Sequence, residues 1–146
     1  MRGLVALLLA VAAIAQAPLH QAPPHQAQLG DLKQVMRGLL LPNANIIFSV
    51  QLKAPKNDMD WQTVDNAAIK IEEAADLILM PGRLRSNGQP VPVQAADYVK
   101  FAKALVPAGR DCLKAAQKKS RDIVGDCTDR LSQVCDNCHN VYRDKP

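Results

Sequence analysis

The segment that most restricts what this chain can become is CDNCHNVYRDKP, residues 135–146. It closes a stretch in which Ile123, Cys127, Leu131, Val134, Cys135, Cys138 and Val141 recur at the spacing of an amphipathic helix. On such a helix Cys135, Cys138 and His139 stand at i, i+3 and i+4 and share one face. Covalent haem attachment requires that placement. Two thiols add across the two vinyl groups on one edge of the porphyrin, and the adjacent imidazole reaches the iron from the same side. C-x-x-C-H is the recognised signal for it. The expectation is one covalent haem c, joined to Cys135 and Cys138, with His139 as proximal axial ligand.

Three other uses of these cysteines compete. A thioredoxin-like redox pair needs a βαβ setting, and no segment shows clean period-two alternation. A zinc site could draw on Cys112, Cys127, Cys135 and Cys138, but their spacing along two helices is unlike a zinc knuckle. A Cys135–Cys138 disulfide would meet poor geometry at i, i+3 on a helix.

The start of the chain sets the compartment. MRGLVALLLAVAAIAQA carries Arg2, an apolar run from Leu4 to Ile14, then small residues, the layout of a secretory signal peptide. Cleavage is expected after Ala15 or Ala17, and Pro18 directly beyond Ala17 favours the first. An uncleaved anchor is the alternative. The apolar run is short for a lasting span, so no membrane span is expected after cleavage. The mature protein is thus expected in the periplasm or otherwise exported, where disulfides are permitted. Residues 16–28, rich in Pro, Gln and Ala, read as a flexible linker with His20 and His25 solvated.

From residue 29 to 146 the pattern is helical. Leu29, Leu32, Met36, Leu39 and Leu40 mark a first helix that Pro42 interrupts, with NIIFSV as its continuation. Asp60 is the expected N-cap of a second helix carrying Trp61, Val64, Ala68, Ile71, Ala75 and Ile78, ended by Pro81-Gly82. A third helix is expected from near Pro92, kinked at Pro107, with Val99, Ala102, Leu105, Val106, Cys112, Leu113 and Ala116 on its buried stripe. Ser120 caps the fourth, which bears the motif. Four helices with short connections predict an all-α, antiparallel four-helix bundle with haem on the C-terminal helix. The five aromatic residues, Phe48, Trp61, Tyr98, Phe101 and Tyr142, leave room in an aliphatic core for one large flat apolar group.

Cys112 and Cys127 lie symmetrically about the predicted turn at Lys119-Ser120, so an antiparallel hairpin sets them side by side. A disulfide is expected. Helix axes pack about 8–10 Å apart, so the two side chains must point directly at one another.

A helical bundle ending in CxxCH resembles the class II c-type cytochromes, the cytochrome c-prime group. The likeness covers roughly Leu29 to Arg143 and rests on CDNCHNVYR, the helix FAKALVPAGRDCLKAAQKKS and VMRG in the first helix. The residues after His139 contain no methionine, which sets the chain apart from class I cytochromes, whose methionine ligand lies downstream of the motif. The resemblance implies that His139 binds the iron and that a first-helix residue covers the opposite face. Met36 stands there, implying a six-coordinate electron carrier. In such a family a five-coordinate iron binds nitric oxide or carbon monoxide, and Met36 is then core filler. Met59 and Met80 are weaker ligand candidates. Many members dimerise, so a homodimer stays open. Cys112 and Cys127 depart from the family pattern.

The formal net charge is +4, too small and dispersed to suggest nucleic acid. Redox proteins are the expected partners. Outside the linker the only histidine is His139, which argues against bis-histidine ligation and nucleophilic catalysis. No enzymatic activity is expected. Arg143, Lys145 and Arg37 are candidate neighbours of the haem propionates, where a cation tunes the potential. For Arg143 and Lys145, placement at a helix C-terminus is the plainer account. A cofactor-free helical domain with its cysteines in disulfides is the remaining reading.

Overall fold

The computed structural model describes residues 30–143. The expected leader and linker, with His20 and His25, lie outside the described residues, as do Leu29 and Lys145. Within them the protein is all-α. Its elements are α1 (Leu32–Val35), a π-helical turn (Met36–Leu40), α2 (Leu41–Leu52), α3 (Asp58–Ile78), α4 (Ala96–Lys103), α5 (Leu105–Gln117) and α6 (Arg121–Tyr142). An isolated antiparallel bridge, Leu84 to Pro90, is the sole β-type pairing among the described residues.

Asp31 starts the first helix. Its carboxylate accepts from the Gln34 N–H at 2.7 Å, and the Gln34 side chain accepts from the Asp31 N–H at 2.8 Å, a reciprocal capping box. Helix then runs unbroken from residue 32 to 52, through Pro42. The proline widens the helix instead of interrupting it. Pro42 has no N–H for the Gly38 carbonyl, and its ring crowds that carbonyl. The Leu41 N–H instead reaches back five residues to Met36, the hydrogen bond of a π turn.

Two other boundaries differ from expectation. The N-cap of α3 is Asn57, whose side chain accepts from the Asp60 N–H at 2.9 Å. Asp60 is the third helical residue, and its carboxylate returns the bond to the Lys56 N–H at 2.8 Å. The third helix begins at Ala96, not near Pro92, and breaks at Ala104, ahead of Pro107. Pro107 cannot donate to the carbonyl of Lys103, so the ladder fails one turn N-terminal to the ring.

The most extensive helix contact is between α3 and α5. Ala67, Ala68, Ala74 and Ala75 of α3, and Ala108, Ala115 and Ala116 of α5, are all buried. Small side chains let the backbones close up. At Gly109 an added Cβ would lie 2.7 Å from the Glu72 nitrogen. Helix α6 packs on α5 and on α2, and α2 also packs on α3. Connections at the ends pair the finish of one helix with the start of another. Lys119 bridges to Asp58 at 2.6 Å, and Gln51 and Arg121 exchange hydrogen bonds to each other's carbonyls. At the other end the Tyr98 hydroxyl donates to the Ile78 carbonyl at 3.1 Å. Among the described residues no helix is long and apolar enough to cross a membrane.

Candidate functional site

Helix α6 begins with Ser120, whose hydroxyl accepts from the Ile123 N–H. Its fully buried residues are Val124, Cys127 and Leu131. Ile123 and Val141, expected on that stripe, are 38% and 58% exposed. Val124, one position on, takes the core slot that Ile123 would have filled. Beyond Leu131 the stripe grows shallow: Val134, Cys135 and Cys138 are half-buried and His139 is exposed. The motif therefore lies at the rim of the core rather than within it.

Cys112 and Cys127 form a disulfide, with Cα atoms 5.2 Å apart. This leaves Cys135 and Cys138 as free thiols, not joined to each other. The bonded pair cannot supply zinc thiolates, and no three His, Cys, Asp or Glu side chains converge on a metal position among the described residues. Burial, reinforced by Asp136, raises the Cys135 thiol above its usual range; burial, reinforced by Cys135, does the same to Cys138. Although His139 is exposed overall, partial desolvation of its ring at the core rim and the nearby Arg143 push the imidazole down, against the pull of Asp136. That shift favours the proton-free imidazole, the form with a lone pair to offer a metal.

Met36 opens the π turn and is half-buried. It packs, with Val35, Leu39, Val134 and Cys135, around the margin of the same apolar core. Met59 is 76% exposed and lies one residue from Asp58, at the opposite end from the motif. The Met80 sulfur accepts from Arg83 at 3.5 Å. Arg37 and Arg143 are exposed, and the Arg143 N–H caps α6 by donating to the His139 carbonyl at 3.2 Å.

Around the motif stands a group of side chains whose clustering no sequence period announces. Tyr142 meets Tyr98 edge-on with ring centroids 5.0 Å apart, and Phe101 at 6.3 Å. Its hydroxyl donates to Asp97 Oδ1 at 2.6 Å. Arg85 rises from the loop between α3 and α4, and its Nη2 donates to the Tyr142 carbonyl at 3.4 Å. The one local signal for this cluster is that Tyr142 follows Cys138 by four positions, on the same helical face. Two free thiols on one face with an imidazole beside them are the donor set that a covalently bound haem uses, and Met36 packs against the same core. Comparison with protein-family models, curated proteins and solved structures gives no match.

Proposed function

We propose that this protein is an exported, monohaem c-type cytochrome that carries electrons, built as an antiparallel four-helix bundle of the class II kind. The observation that carries this reading is the C-x-x-C-H motif at the end of α6 with both thiols free, while the other two cysteines are tied to each other. Cys135 and Cys138 would hold the porphyrin through thioethers, and His139 would take one axial position. Met36, which packs against the same core from the first helix, would take the other.

When bound, haem supplies a one-electron Fe(III)/Fe(II) couple. The protein's own part is to fix both ligands and limit water at the site. The α6 helix holds the two sulfurs and the imidazole in a single turn. Apolar residues at the core margin, Val35, Leu39 and Val134, would face the ring, and low polarity there tunes the potential. Redox proteins would be its partners. No enzymatic activity is assigned.

Visible absorption of protein matured with a haem-attachment system tests the reading. A Soret band that stays with the protein through acid–acetone extraction is expected, with a methionine–iron charge-transfer band that Met36→Ala removes. A high-spin spectrum that shifts with carbon monoxide would favour a five-coordinate gas-binding protein. Absence of a Soret band would leave a cofactor-free helical domain.

A further inference from the structure

The loop joining α3 to α4 does more than connect them. Arg83 is 5% exposed, and no carboxylate pairs with it among the described residues. A guanidinium is costly to bury unless its donors are satisfied. Here Nε donates to the Leu77 carbonyl at 3.0 Å, Nη1 to the Gly30 carbonyl at 2.6 Å and Nη2 to the Met80 sulfur at 3.5 Å. The Leu77 carbonyl belongs to the last turn of α3, where the helix dipole favours a cation. The loop backbone is braced as well: Val91 N–H donates to Arg83 O at 2.8 Å and Arg85 N–H to Gln89 O at 2.7 Å.

This braced loop reaches both helices that carry the proposed iron ligands. On one side, Arg83 holds Gly30 and the Leu84 carbonyl accepts from Leu32 N–H at 2.8 Å. Those two bonds anchor the single turn, Leu32–Val35, that directly precedes Met36. On the other side, Arg85 Nη2 donates to the Tyr142 carbonyl at 3.4 Å, one turn beyond His139. Met36 itself opens the π-helical segment Met36–Leu40, a rare geometry that occurs as single turns within α-helices, frequently at functional sites. Positioning a metal ligand takes support to within about 0.5 Å.

We infer that Arg83 is a positioning residue for the distal iron ligand: by locking the start of the first helix to the α3–α4 loop, it keeps the Met36 sulfur on the iron. This rests on the proposed haem ligation. Its consequence is a change in iron coordination rather than in haem content, because the thioethers and His139 belong to α6.

The test is Arg83→Leu in the haem-loaded protein, read by visible absorption and by exposure of the ferrous form to carbon monoxide. The variant is expected to keep its Soret band and helix content, lose the methionine–iron charge-transfer band, and bind carbon monoxide that the wild type excludes. Arg83→Lys, with a cation but no fork, is expected to restore the band only in part. If Arg83→Leu does not accumulate, Arg83→Gln, which retains an amide donor for a carbonyl, is read in the same way. A variant that melts earlier yet keeps the band and excludes carbon monoxide overturns the inference alone. A wild type without the band overturns Met36 ligation itself, and the inference falls with it.

Discussion

The Tyr142 hydroxyl donates to Asp97 Oδ1 at 2.6 Å, tying the last turn of α6 to the first turn of α4. One turn before Tyr142 is His139, so this bond fixes the end of the helix that carries the motif. The same bond is the main cause that lowers the Asp97 carboxyl below its usual range and raises the Tyr142 phenol.

A lowered carboxyl stabilises the fold above its unfolded value, here 3.8, and that contribution fades as pH falls through the folded value. Tyr142→Phe should therefore melt below the wild type at pH 7, and the gap should shrink as the pH is taken below about 4. Melting curves for the two proteins across that range check it. A gap independent of pH would show that the bond to Asp97 is not its source.

Tyr98 behaves with the opposite sign. It is 1% exposed, and burial pushes its phenol up to about 12 from 10.0. A raised phenol stabilises the fold below pH 10 and loses that contribution as pH rises through the folded value. At about 1.4 kcal/mol per unit, wild type should lose on the order of 2–3 kcal/mol more than Tyr98→Phe between pH 9 and pH 12.5. Urea unfolding at fixed alkaline pH measures the difference.

Gly109 sets how closely α5 approaches α3. A Cβ there would lie 2.7 Å from Glu72 N and 3.0 Å from Ala68 O, both backbone atoms of α3. Alanine favours a helix by about 1 kcal/mol over glycine, but the clash is with backbone that cannot step aside. Gly109→Ala should destabilise by about 1–3 kcal/mol. Gly38 is the control: a Cβ there meets nothing within 4 Å. Gly38→Ala should be neutral or stabilising in the same denaturation assay.

The Cys112–Cys127 disulfide links residues separated by 15 positions, and both are fully buried. Closing such a loop contributes about 3 kcal/mol in the chain-entropy model. Unfolding the wild type in urea with and without reductant should show a fall of that order. An unchanged midpoint would mean that the α5–α6 contact alone holds the hairpin.

Much of the helical body was legible because its periodicity is local. Trp61, Val64, Ala68, Ile71, Ala75 and Ile78 read as one stripe, and all six are buried in α3. The breakers were legible in kind but not in effect. Pro42 widens a helix that continues, and Pro107 displaces its break to Ala104. Neighbouring packing decides whether a missing hydrogen bond ends a helix or is absorbed by it. The cap of α3 lies three residues before the expected Asp60 because Asn57 and Asp60 act as a pair, and only the direction of both side chains shows which is outside the helix.

By itself the sequence determined the helical character of the body and the shared face of Cys135, Cys138 and His139. These depend on spacing along one segment, which the 3.6-residue repeat converts directly into geometry. Tertiary structure decided how deep that face lies, which cysteines remain free, and what stands around the motif. Arg85, Tyr98 and Asp97 come to its neighbourhood from segments about forty or more residues away. Side-chain direction and long-range closure place them, and neither leaves a local period to read.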